Sequence, residues 1–195
     1  MTRQMWRVRR AAVAALLISV VLLQGSALTS AAAEPEPEVE AALATPDAAL
    51  ALAPSASAPA AALNPFEAEL IRQTNADRAK HGLAPLSVDT SLLDLARQRA
   101  AAQRVGQPLN HYTADGALAF QQLLDDSQAP YQLAGENLAR SAEIYDGVIQ
   151  RIEESLMASP GHRKNILEPG FNTVTIGVAL DPSGAITLAE IFRQV

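Results

Sequence analysis

The chain has 195 residues, 15 lysines and arginines against 21 aspartates and glutamates, and a net charge of −6 with its three histidines neutral. It contains no cysteine, which excludes disulfides and thiolate metal centres, and aromatics make up only 4% of it, too few for a platform that stacks bases or sugars. An acidic chain without a basic stripe repels phosphate backbones and anionic headgroups, so nucleic acid is excluded as a partner.

The first ten residues, MTRQMWRVRR, carry four arginines and no acid, and residues 11–23 are apolar except for Ser19. A small-residue stretch ending Ala31-Ala32-Ala33 follows. Basic head, short apolar run and A-x-A-like end make residues 1–33 an export signal cleaved before Glu34. The rival reading is an uncleaved anchor, since a bilayer needs only about 20 apolar residues. Membrane contact is expected only in that second case, and an extracellular or cell-surface location in both. Cleavage would move the net charge from −6 to about −10. Residues 34–63 are almost entirely Ala, Pro, Glu, Ser and Leu and lack aromatics, the composition of a disordered linker. Residues 64–195 have the length of one domain with its own core, expected as a monomer.

After Asn64-Pro65, Phe66, Leu70, Ile71 and Thr74 recur at helical spacing until His81-Gly82, where glycine suits a C-cap. Capping side chains at residues 89–91 precede a second helix with Leu92, Leu95, Ala96 and Ala100 on one face. A short third helix holds Phe120, Leu123 and Leu124 and stops at Asp125-Asp126-Ser127. Ile144, Val148, Ile152 and Leu156 predict a fourth with one continuous apolar stripe. Ser159-Pro160 then reads as N-cap and first residue of a new short helix. Residues 173–180 and 185–192 are rich in β-branched and apolar types around the turn Asp181-Pro182-Ser183-Gly184, which predicts an antiparallel hairpin. Helices first and hairpin last indicate an α+β domain with helices packed on a small antiparallel sheet.

Taken in order, Asn75 and Arg78 in TNADRAKHGLAPL, Ala96, NHYTADG around His111, GEN at Glu136 and Asn137, SPGHRKNIL around His162 and Asn165, and the last strand to Phe192 resemble the CAP superfamily in its bacterial SCP-like branch. The superfamily comprises cysteine-rich secretory, antigen 5 and pathogenesis-related proteins. The resemblance implies an α-β-α sandwich with a surface cleft holding two histidines and two acids. Matched residue by residue, His111 and His162 are the histidines and Glu136 is the first acid. The second acid is missing at its usual place, which Ser159 occupies. Glu153 is the nearest substitute, because Glu154 falls half a turn from the Ile152 stripe and should face solvent.

Two histidines and one carboxylate from separate segments are the donor types of a His2Glu divalent-metal site, with zinc as the candidate ion held by His111, His162 and Glu136. The alternative is a hydrogen-bonded cluster in which Glu136 fixes the histidines. His81 suits a helix C-terminus, and Asn75, Arg78, Asn137 and Asn165 suit scaffold roles that satisfy backbone groups. Ser159 close to His162 raises a serine nucleophile, but no G-x-S-x-G elbow surrounds it and Glu136 would have to orient that histidine. Two functions from different classes follow. One is a secreted, non-enzymatic binding or structural module that presents the cleft to a lipid, glycan or protein. The other is a metal-dependent hydrolase using the same residues.

Overall fold

The computed structural model describes residues 38–44 and 62–195. The first helix, α1 (Pro65–Lys80), is set by a capping box: the Asn64 side chain accepts from the Glu67 amide at 3.0 Å while Glu67 accepts from the Asn64 amide at 2.8 Å. Pro65 at its first position loses no helical hydrogen bond. Gly82, at φ +74°, lets the chain turn away after His81. Strand β2 (Ser87–Val88) leads into a 3-10 turn at Thr90–Leu92, capped by Asp89 on the Ser91 amide, and into α2 (Leu93–Ala101). Helix α3 (Ala119–Asp126), strand β3 (Leu133–Ser141), helices α4 (Val148–Ala158) and α5 (Pro160–Ile166), and strands β4 (Thr173–Leu180) and β5 (Ile186–Gln194) complete the order.

One strand precedes all of these. Residues Glu38–Ala44 form β1, and the five strands lie in the order β1-β3-β5-β4-β2, with only the β2–β4 pair parallel. The expected linker over residues 34–63 is therefore corrected at this stretch. Ala and Glu are poor strand formers, and the strand exists because the free edge of β3 supplies hydrogen-bonding partners along its length. Leu63, also assigned to the linker, packs against the core. The export signal at residues 1–33 and the rest of the linker lie outside the described residues. Among the described residues no helix is long and apolar enough to cross a membrane.

Alternation along the strands divides the interior into two layers. Ile186, Leu188 and Phe192 of β5 pack with Val174, Ile176 and Val178 of β4 against α1, α4 and α5. Ala134 and Ile191 point the other way and pack with Ala96, Phe120 and Leu124 of α2 and α3. The result is the expected α+β, α-β-α sandwich. Each fully buried Leu or Ile of the larger layer contributes roughly 1.5–3 kcal/mol of apolar transfer. Glycine is required at Gly177, where an added Cβ would lie 2.1 Å from the Ala96 carbonyl carbon. Helix α2 thus rests directly on the sheet, which brings its next turn over β3.

The α4 stripe is shorter than expected. Val148, Ile152 and Leu156 are buried, but Ile144 is 43% exposed and lies outside the helix, which starts after the left-handed Gly147 at φ +88°. Glu154 faces solvent as its phase predicts.

Candidate functional site

Glu136 sits in β3 with no exposure, and its side chain points toward α2. There Arg99, one turn beyond Ala96 and 4% exposed, forms a two-pronged ion pair, Nε to Oε1 at 2.7 Å and Nη2 to Oε2 at 3.0 Å. The same Nη2 donates to the Asn110 carbonyl at 2.5 Å, which tethers the loop carrying His111. Nδ1 of His111 meets Oε2 of Glu136 at 2.6 Å. A carboxylate only accepts, so Nδ1 carries the proton and Nε2 is turned away from the acid. Geometry of this kind is the strong form of hydrogen bond, charge-assisted and bidentate at the guanidinium.

His162 arrives from the opposite layer, on α5. Its Nδ1 lies 2.7 Å from Oγ of Ser159, which stands at the N-cap position of α5 yet makes no capping bond with that hydroxyl. Both imidazoles are 3% exposed, and both Nε2 atoms are buried without a hydrogen-bond partner. Burial pushes the His162 imidazole down; the main chain and carboxylate of Glu40 act in the opposite direction, and nearby His111 lowers it further. The structure thus joins His111 to Glu136 directly and places His162, bound to Ser159, near His111 and Glu40.

The set does not fit a His2Glu metal centre. Both oxygens of Glu136 are engaged by Arg99 and His111, which leaves two imidazole nitrogens, and no group of three His, Cys, Asp or Glu that could hold a metal ion occurs among the described residues. Neither is a serine triad assembled, because Glu136 orients His111 and not His162.

Glu153 is not part of this cluster. It is 2% exposed on the sheet side of α4, where the Thr74 hydroxyl lies 3.3 Å from it and 3.2 Å from Glu190 of β5. Asn137 donates to the other oxygen of Glu190 at 2.9 Å, and Asn165 links Asn137 back to the main chain of Glu136. Burial, with Glu190 and Asp77 nearby, pushes Glu153 up to about 9; burial pushes Glu190 up to about 7. One hydroxyl proton cannot serve two carboxylates, so a protonated Glu153 explains both contacts of Thr74.

The scaffold readings agree with the geometry. Asn75 exchanges two hydrogen bonds with the main chain of Leu86. Arg78, 1% exposed, donates to the carbonyls of Ala84, Ile166, Glu168 and Phe171. His81 Nδ1 sits 2.8 Å from the Asp77 carbonyl in the last turn of α1. Arg99, Glu190 and Glu40 were not foreseen. The signal for Arg99 was present: it shares a helix face with Ala96 and Ala100, and an arginine on an apolar face implies a buried acid.

The sequence profile of the cysteine-rich secretory protein family matches residues 71–191. A protein of Bacillus subtilis, YkwD, is 32% identical over 126 residues, covering 65% of this chain and 46% of the relative. Among solved structures, an extracellular SCP-domain protein of Bacillus anthracis shares 25% identity with a TM-score of 0.54, over 69% of this chain and 45% of that one. An outer surface protein of Borrelia burgdorferi, at 18% identity and a TM-score of 0.57, covers 66% of this chain and 92% of its own, and shares the fold. The chain thus spans less than half the length of the two Bacillus proteins.

Proposed function

The chain belongs to the cysteine-rich secretory protein family, and on that premise we propose that it is a non-enzymatic recognition module, exported to the cell surface or beyond it. The location rests on the basic, apolar N-terminus and on the extracellular B. anthracis relative. The observation that carries the recognition reading is the enclosure of Glu136. A hydrolytic base must reach a water or hydroxyl, whereas this carboxylate has no exposure and is held behind Arg99 and His111, with one or both of them on each oxygen. What the cleft offers instead is a pair of buried imidazoles that face Glu40, held in fixed orientation by Glu136 and Ser159.

The test is a panel of peptide, ester and glycan substrates, with and without added zinc, run beside a His111→Ala/His162→Ala double variant. No turnover above that of the variant is expected. Zinc, limited to two imidazoles, should bind weakly and leave on dialysis. Turnover that disappears in Glu136→Gln would overturn the reading in favour of a hydrolase.

A further inference from the structure

Strand β1 contacts the site in a way that a passive edge strand would not. Among the described residues only β3 pairs with it, in a register running from Glu38 opposite Arg140 to Ala44 opposite Ala134. Glu40, opposite Leu138, directs its carboxylate to the His111 side of the sheet, where Oε1 lies 3.8 Å from Nε2 of His111. That nitrogen has no hydrogen-bond partner of its own. The next two positions are tightly bounded. An added Cβ on Gly161 would sit 3.4 Å from the Ala41 Cβ, and one on Gly135 would sit 3.3 Å from the Ala42 carbonyl oxygen. The same oxygen accepts from Asn165 Nδ2 at 3.1 Å, while the Ala42 methyl packs on the α2–α3 layer. By contrast Leu43 is 42% exposed.

We propose that the β3 edge beside the two histidines is a peptide-binding groove, that it selects an extended segment with an acid followed by two small residues, and that Glu38–Ala44 is its exchangeable resident occupant. The proposal deepens the recognition reading above and rests on it. Strand addition gives affinity through main-chain bonds, and side-chain pockets give selectivity. Here the pockets are His111 for the acid, the Gly161 surface for the first small residue and the α2–α3 layer for the second, whose main-chain carbonyl Asn165 holds. Local preference does not hold β1 in place, since alanine and glutamate are disfavoured in strands. Covalent connection to α1 does: a tethered segment meets its groove at an effective concentration on the order of mM. A free peptide must match that concentration unless the connection is cut.

The experiment therefore uses the full chain with a protease site inserted within residues 45–61, cut but not separated. A fluorescent peptide with the sequence of residues 38–44 is added and its anisotropy followed. It is expected to exchange into the cut chain and to bind the uncut chain only at far higher concentration. The peptide with Glu40→Gln should bind about two- to fivefold more weakly, the range for a half-exposed ion pair. The peptide with Ala42→Leu should not bind. No exchange into the cut chain at millimolar peptide, or equal binding of all three peptides, would overturn the groove.

A second measurement needs no cutting. Diethyl pyrocarbonate acylates accessible imidazole nitrogens, and exposed His81 serves as the internal reference. Glu40→Lys in the intact chain should raise the modification of His111 and His162 several-fold relative to His81; an unchanged ratio would overturn the covering role of β1. Turnover in the substrate panels together with peptide exchange would sink the recognition reading and leave the groove standing. Absent exchange without turnover would sink the groove alone.

Discussion

Two buried acid sites lie on opposite faces of one sheet and solve the same problem in opposite ways. Glu136 and Glu190 have no exposure at all, and Glu153 only 2%. Glu136 is matched by the Arg99 guanidinium and an imidazole N–H, so its charge is kept and used to aim His111. Glu153 and Glu190 have a threonine hydroxyl and an asparagine amide for neighbours, neutral groups that cannot compensate two charges, and they take up protons instead. Burial alone therefore does not say what a carboxylate will do. The partner decides, and one residue on a neighbouring helix separates a charged positioning group from a protonated core residue.

Removing the partner should have the largest effect. Arg99→Leu leaves Glu136 charged and unpaired in the interior and is expected to cost about 3–5 kcal/mol in denaturant unfolding. Combining it with Glu136→Gln should recover a substantial part, because the uncompensated charge is gone. If Arg99→Leu costs no more than an ordinary surface substitution, the ion pair is not what holds the site.

The second site should set the pH dependence. Glu153 and Glu190 bind protons more tightly folded than unfolded, since their folded values lie above the ordinary 4.5. The stability they provide is complete below the unfolded value and is lost as pH rises from about 4.5 toward about 9. The loss approaches about 1.4 kcal/mol per pH unit for each acid that is protonated only in the folded state. Glu153→Gln, which mimics the protonated form, should flatten this slope and raise the melting temperature at pH 8. A slope identical to wild type would mean that Glu153 is ionised at neutral pH.

Smaller effects separate donors from bystanders. Asn137→Ala removes a hydrogen bond to buried Glu190 and should cost about 1–3 kcal/mol. Glu154→Ala, one residue from Glu153 but exposed, should stay within about 0.5 kcal/mol of wild type. Equal losses from Glu153→Ala and Glu154→Ala would refute the assigned face of α4.

Much of this architecture was legible because local chemistry agreed with it. The Asn64-Pro65 start of α1, the Asp89 cap, the Ser159-Pro160 break and the turn before β5 each carry their own signal. The motifs also singled out His111 and Glu136, which the structure joins directly. The role of Glu136 was not, because it depends on Arg99, whose depth follows from the close approach of α2 to Gly177 and not from any local pattern. Strand β1 was hidden for a related reason: an Ala/Glu sequence has no strand preference until the β3 edge is available. Ile144 misled in the other direction, since its spacing suited the α4 stripe while Gly147 started the helix later.

If Glu136 positions His111 and is neither base nor metal ligand, the proton on His111 reports it directly. Long-range ¹H–¹⁵N correlation of the two buried imidazoles distinguishes a protonated Nδ1 from a bare one. His111 is expected to carry its proton on Nδ1 in the wild-type chain, and Glu136→Gln to change the ¹⁵N shifts of His111 far more than those of His162. A His111 with a bare Nδ1 and its only proton on Nε2, unaffected by Glu136→Gln, would contradict it.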